Sequence, residues 1–304
     1  MKISVLGAAA GGGFPQWNCN CPNCAGVRRG TRRAEPRTQS SIAATDGSGG
    51  WVLFNASPDI LTQIRRAPFL QPGRAVRDTA IAGIVLIDAQ IDHTTGLLML
   101  REGRPLDVWC TDPVHADLTR ANPVFEVLSH YCTVRRHRIV PDGASAFAVP
   151  GVSGLAFTAI ALSGKAPPYS PSRNRPQVGD NIGVMIQDLE RGRRLFYAPA
   201  LAEITPAVHA FMERADCLMV DGTFWADDEM IRLGISDKRA RDLGHLPQSG
   251  PEGMIEALAP FSRARKILIH INNTNPILDE DSPERAALAR AGIEVAADGM
   301  EIEL

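Results

Sequence analysis

The sequence predicts an α+β fold: two β-sheets packed face to face and flanked by helices, in one domain spanning 1–304. Two observations predict it. The apolar segments are short and bounded by turn residues, as strands are, and the early ones are joined by turns while the later ones alternate with helical stretches. At 304 residues, 44% hydrophobic and 22% charged, the chain can bury a core large enough for such a sandwich.

In chain order, 3–6 reads as a buried strand running into a glycine-rich turn, 7–13. A phosphate-binding loop at that turn would need a lysine after the glycines and a helix behind them, and neither is present. Residues 51–55 and 81–87 are further strands, and 94–101 opens a helix. Residues 106–110 form a strand followed by a helix to about 128. The stretch 141–151 is rich in turn residues, and 155–162 is a strand. The segment 164–177 holds four prolines without periodicity and is a loop or lid. Strands 182–187 and 194–197 flank a charged turn and form a hairpin. A helix over 203–214 has Thr205-Pro206 at its start. Strand 217–220 ends at Asp221, and 253–258 is helical. Strand 266–270 ends in His270; helix 284–290 and strand 293–296 close the chain.

The net charge of −2 gives no global basic field, which argues against nucleic acid as a partner. The arginine clusters at 28–33 and 135–138 read as solvated surface. The N-terminus lacks a signal-peptide pattern, and no run approaches the ~20 apolar residues of a membrane span. A cytoplasmic protein is expected. There the six cysteines are reduced thiols or metal ligands rather than disulfides.

Three polar clusters follow apolar strands: Asp88-x-Gln90-x-Asp92-His93, Asp221-Gly222-Thr223 and His270-Ile271-Asn272-Asn273. If those strand ends share an edge, Asp92, His93, Asp221 and His270 converge. Two imidazoles with one or two carboxylates suit Zn(II), Mn(II) or Fe(II). Cys19-x-Cys21-x-x-Cys24 is a separate soft-metal pocket that lacks an adjacent fourth ligand. Cys110, Cys132 and Cys217 read as core. His245, in Gly-His-Leu-Pro, is either a proton-transfer or substrate-binding residue or a structural one. His115, His130, His137 and His209 read as structural.

Five segments carry a resemblance over the whole length: 11–24 (Gly-Gly-Gly-Phe-Pro-Gln-Trp-Asn-Cys-Asn-Cys-x-x-Cys), 88–96, 221–225, 244–250 and 270–278. Together they resemble the pyrroloquinoline quinone (PQQ) biosynthesis protein B family of the metallo-β-lactamase-like superfamily. The resemblance implies an αββα sandwich with a cysteine-rich zinc loop at 11–30. It implies a role in making PQQ from a precursor containing Glu and Tyr. Two descriptions of that role follow from it: an iron- and dioxygen-dependent hydroxylase of the precursor tyrosine, or a non-catalytic carrier or transport protein for PQQ or its precursor. The partners it implies are the precursor peptide or a Glu-Tyr-derived small molecule, O2, other proteins of the pathway and a second copy of the chain, without nucleic acid or membrane.

The resemblance also sorts the site residues. The superfamily's metal box is His-x-His-x-Asp-His, and its two-metal hydrolases fill one site with the first two histidines and a ligand from a later loop. Here those positions are Asp88, Gln90 and Ser163, so that site has lost its imidazoles. Asp92, His93 and His270, with Asp221 at the bridging position, remain for a catalytic Fe2+, which zinc can replace on isolation. His245, Asp221, Asp88 and Gln90 are the candidate catalytic residues. Cys19, Cys21 and Cys24 are the expected structural Zn2+ ligands, with Asn273 at the fourth position. A zinc hydrolase is a further alternative, disfavoured by the missing imidazoles.

Overall fold

The computed structural model describes residues 1–102 and 104–304. Its first six strands are β1 (Lys2–Gly7), β2 (Ser41–Thr45), β3 (Trp51–Phe54), β4 (Ile81–Val85), β5 (Leu106–Cys110) and β6 (Val134–Arg138). Then come β7 (Asp142–Phe147), β8 (Leu155–Ala161), β9 (Ile182–Asp188), β10 (Arg194–Ala198), β11 (Cys217–Asp221), β12 (Arg265–Ile269) and β13 (Ile293–Val295). The last, β14 (Glu301–Glu303), returns to the first sheet beside β1. One sheet runs β14-β1-β2-β3-β4-β5-β6 and the other β13-β12-β11-β10-β9-β8-β7.

Side chains alternate across each strand, and the alternation sorts them into layers. Val52 and Phe54 point between the sheets, where Phe54 meets Phe157 and Tyr197 at ring-centroid distances of 5.9 and 5.6 Å. Leu53 points outward against Ile60, Leu118 and Leu128. Phe196 and Leu218 face Phe211, Met254 and Leu288 on the far side. Each such side chain contributes about 1.5–3 kcal/mol by leaving water. This is the αββα arrangement expected.

Both sheets are mixed, which positions the site. Strands β3 to β6 are parallel to one another, as are β10 to β13. Parallel strands need crossover connections, and ligand-binding loops gather outside their carboxyl ends. Asp88 follows β4, Asp221 ends β11 and His270 follows β12.

Several elements differ from the sequence expectation. The strand β7 lies inside the stretch read as turns; Gly143, Ser145 and its exposed positions hide the alternation. The strands β2, β6 and β14 were not expected. The arginines of β6 sit on an edge strand, where charge blocks further pairing. Arg135 pairs with Asp107, and Arg136 and Arg138 with Asp112. The helix expected to 128 is broken into α-helix Asp112–Ala116, a π-helical turn Asp117–Ala121 and α-helix Val124–Ser129, with Pro123 ahead of the last. The helix expected at 94 is one α-turn, Ile91–Thr94, continued as a 3-10 helix, Thr95–Leu100. A Cβ on Gly96 would lie 2.1 Å from the Ser57 carbonyl, so glycine lets this segment lie against the chain after β3. Among the described residues no helix is long and apolar enough to cross a membrane.

Candidate metal centre

Three donor atoms meet at the carboxyl ends of β4 and β12. Asp92, His93 and His270 each offer one ligand atom, all within 4.8 Å of one another. His270 Nε2 is 3.4 Å and His93 Nε2 3.8 Å from Asp92 Oδ2. The two imidazole rings meet edge-on at 5.2 Å. Asp92 and His93 sit on the α-turn Ile91–Thr94, which Gln90 precedes and ties in through His93 N–H to its carbonyl at 3.0 Å. His270 leaves β12 with φ 61°, a left-handed conformation that a non-glycine residue holds only where its surroundings impose it. Here the next residue is clamped: Ile271 N donates to Ala8 O and Ala10 N donates to Ile271 O, both at 2.9 Å.

That clamp explains the glycine-rich turn. Its amides are used inside the protein: Ala8 by Asp298, Ala9 by the Thr38 carbonyl and Gly12 by Gln39. They form no phosphate cradle. A Cβ on Gly11 would sit 3.2 Å from Asp92 Oδ2, so glycine keeps the carboxylate's surroundings open.

Each imidazole is oriented from behind. Asp88 accepts from His93 Nδ1 with both oxygens, at 2.8 and 2.9 Å. Thr223 Oγ1 lies 2.9 Å from His270 Nδ1. Holding the proton on Nδ1 leaves each Nε2 as a lone pair directed toward Asp92. His93 Nε2 is buried and has no hydrogen-bond partner among the described residues. A buried orphan imidazole nitrogen is costly unless something else occupies it, and a metal ion fits. Burial lowers His93, but Asp88 and Asp92 outweigh it and raise the ring to about 9, so without an ion Nε2 holds a proton that a bound cation displaces. Burial raises Asp92, but His93 and His270 outweigh it and hold it well below the ordinary carboxylate range.

Asp88, expected at the vacated metal position, lines the cavity and bonds His93, and Gln90 N donates to its Oδ1 at 2.9 Å. The Gln90 side chain lines the cavity in front of the donors, as does Ser163, whose hydroxyl donates to Glu203 at 3.0 Å.

Asp221 was expected beside the metal as a bridging ligand. It is fully buried and engaged by four protein donors. Oδ1 accepts from Thr223 N and Oγ1, at 2.9 and 2.6 Å. Oδ2 accepts from Leu201 N at 2.9 Å and His245 Nδ1 at 2.7 Å. His245, whose role was open, is thereby drawn into the site, and its ring stacks on His270 at 5.4 Å. Burial lowers His245, but Asp221 outweighs it and the ring is raised. Asp221, His245 and His270 also lie close enough to form a donor group. An ion among them would have to break the Asp221–His245 hydrogen bond. Thr223 stood in the second polar cluster of the sequence without a role of its own; the Asp-Gly-Thr step closes an Asx turn, which was the signal for it.

The cysteine loop lies one step further along the same segment. Cys19, Cys21 and Cys24 form a second donor group, with Cys21 preceding the helix Pro22–Arg29. Asn273 Nδ2 lies 3.0, 3.7 and 3.4 Å from their sulfurs. Amide N and O are interchangeable in shape, so the carboxamide oxygen can face the thiols instead. Burial pushes Cys21 up to about 12; burial also raises Cys19, but hydrogen bonds from the Cys21 backbone N–H, the neighbouring thiols and Asn273 outweigh it and lower that thiol. Three thiolates need a cation to ionise together, which fits zinc. Arg28 caps the loop by donating to the Cys19 carbonyl, and Arg32 and Arg33 pair with Asp279 and Glu280 rather than standing free.

Residues 50–271 match the family model described as the beta-lactamase superfamily domain. The chain is 62% identical over 305 residues to coenzyme PQQ synthesis protein B of Methylobacillus flagellatus, covering 100% of both. It is 64% identical over 306 residues to the protein of the same name from Azoarcus sp. (strain BH72), again covering 100% of both. Among solved structures it is similar to Zn(2+)-bound PqqB from Methylobacterium extorquens, with TM-score 0.90, 38% identity and 100% coverage of both chains. A diphosphatase of the PhnP family, at 18% identity and TM-score 0.67 over 100% of this chain and 97% of that one, shares the fold.

Proposed function

From the premise that this chain belongs to the coenzyme PQQ synthesis protein B family and takes part in PQQ biosynthesis, we propose that it is a mononuclear iron- and dioxygen-dependent hydroxylase. Its substrate is the tyrosine ring of a Glu-Tyr precursor. The observation that carries this reading is the commitment of Asp88 to His93. With that carboxylate turned away and Gln90 neutral, the cavity supplies one position with two imidazoles and a carboxylate. This is the donor set of non-haem iron oxygenases, with positions left open for dioxygen and substrate.

Asp92, His93 Nε2 and His270 Nε2 would hold the ion. Bound Fe(II) supplies the dioxygen chemistry. Asp88 and Thr223 hold the two ligand imidazoles in the right tautomer. Asp221 positions His245 and keeps it basic, so the ring nitrogen not bonded to Asp221 can take the phenol proton in the cavity it lines. Cys19, Cys21 and Cys24, with the Asn273 carboxamide, hold a structural zinc and anchor the chain next to His270.

Hydroxylation places one atom of dioxygen in the ring and reduces the other to water with two electrons from an external reductant. Metal analysis of anaerobically purified protein, followed by exposure to substrate, a two-electron reductant such as ascorbate and air, therefore tests the reading. About one zinc and one iron per chain, with a product carrying one added oxygen, support it. Tight binding of PQQ without any oxidised product, iron or not, supports a carrier instead.

A further inference from the structure

We propose that the cavity has a second, anion-binding half, in which Arg173 and Lys165, with Arg241 behind them, hold the carboxylates of a small polycarboxylate such as an acidic dipeptide. This rests on the hydroxylase reading only for which end of the molecule faces the metal.

The metal cavity is about 260 Å³ and is lined by Lys165 and Arg173 on one side and the donor residues on the other. It shares Ser163, Gly164, Lys165, Leu243 and Gly244 with a larger cavity of about 550 Å³, into which Arg241 also faces. Several other arginines are neutralised, such as Arg135 by Asp107, Arg193 by Asp216 and Arg265 by Glu294. Arg175, on the same loop as Arg173, is free among the described residues but exposed outside both cavities. Among the described residues, Lys165, Arg173 and Arg241 have no carboxylate within ion-pair distance. The acids of the metal cavity face the other way, Asp88 to His93 and Asp92 to the metal donors. Asp242, on the larger cavity, accepts from Arg239 N at 3.0 Å.

Arg173 is also held in place. Its Nη1 donates to the Ala166 carbonyl, which leaves the rest of the guanidinium fork for a ligand. The loop carrying it is fastened across the cavity. Ser170 Oγ donates to Asp117 Oδ1 at 2.7 Å, and Tyr169 Oη donates to the Ala89 carbonyl, beside Asp88. The loop's amides at Ser170, Arg173 and Arg175 donate to its own carbonyls, and Gln177 N donates to Asp180. Phosphate sites are built largely from free backbone amides. Here the side-chain cations are what is offered, and a guanidinium fork matches a planar carboxylate bidentately.

The test uses zinc-loaded protein, where binding is read without turnover. Calorimetric titration compares L-glutamyl-L-tyrosine with its doubly amidated analogue, L-glutaminyl-L-tyrosinamide. The dipeptide is expected to bind about tenfold or more tightly than the amide, since one lost charged contact is worth about a factor of ten. Arg173→Gln should weaken the dipeptide by about tenfold and erase that preference, and Arg173→Lys should restore part of it. Arg175→Gln removes the same charge from an exposed position of the loop outside both cavities and should bind as wild type. Equal binding of amide and dipeptide, no binding of the dipeptide, or an equal loss in Arg175→Gln overturns the proposal. So does inorganic phosphate displacing the dipeptide at equal concentration. A carboxylate preference without any oxidised product under iron, a two-electron reductant and air leaves this proposal standing and removes the hydroxylase reading.

Discussion

Asp88 places both carboxylate oxygens on Nδ1 of His93, at 2.8 and 2.9 Å, in a fully buried pair. The bond fixes which imidazole nitrogen faces the metal centre. Replacing Asp88 with Asn keeps the shape but lets an amide N–H meet Nδ1, which favours the wrong tautomer. Metal affinity at the Asp92–His93–His270 centre should fall about 10- to 100-fold, measured by chelator competition. An unchanged affinity removes the orienting role.

Thr223 serves Asp221, His245 and His270 with one hydroxyl. In Thr223→Val the shape survives and the hydroxyl does not, leaving buried polar atoms without partners. Urea unfolding should show a loss of about 1–3 kcal/mol, while Thr223→Ser stays close to wild type. Equal stability of the Val and Ser variants contradicts the hydrogen-bond account.

Asn273 and His270 lie on one short segment, so the cysteine loop and the second centre are mechanically joined. Cys24→Ser should purify with about one metal ion fewer per chain. It should also weaken metal binding at His270. Loss of the first ion with normal affinity at the second would show the two centres to be independent.

Glu229 is buried; burial pushes its carboxyl up to about 7, although Thr274 and the Trp225 N–H pull it down. The folded state thus favours the protonated acid. Its contribution to stability is full below the unfolded value, about 4.3, and is lost as the pH rises to about 7. Relative to Glu229→Gln, the wild type should lose up to about 3 kcal/mol between pH 4 and 8, read from chemical denaturation at each pH. Parallel pH profiles for the two proteins would contradict this.

The strand-end clusters were legible because an apolar run that stops at Asp, His or Asn leaves polar side chains where a buried strand meets a loop. Asp92, His93 and His270 were found in that way. Asp88 was legible as the residue standing where the box loses its first histidine, but spacing could not show that its carboxylate is aimed at a histidine five positions on. Asp221 was read as a bridging ligand or catalytic residue, and spacing could not show that its oxygens meet Leu201, Thr223 and His245. The strands β6 and β7 escaped notice because edge strands need not be apolar. The segment 164–177 was legible as a loop or lid, but its spacing carried no sign that Lys165 and Arg173 line the cavity.

The central claim is that one iron, held by Asp92, His93 and His270, oxidises a tyrosine ring. The most direct measurement is the mass of the Glu-Tyr precursor after exposure to air and a two-electron reductant such as ascorbate, with iron-loaded wild type and with His93→Ala. The wild type should add one oxygen atom and retain about one iron per chain, and the variant should lose both together. Oxygen addition that persists in His93→Ala, or that proceeds with zinc in place of iron, would contradict it.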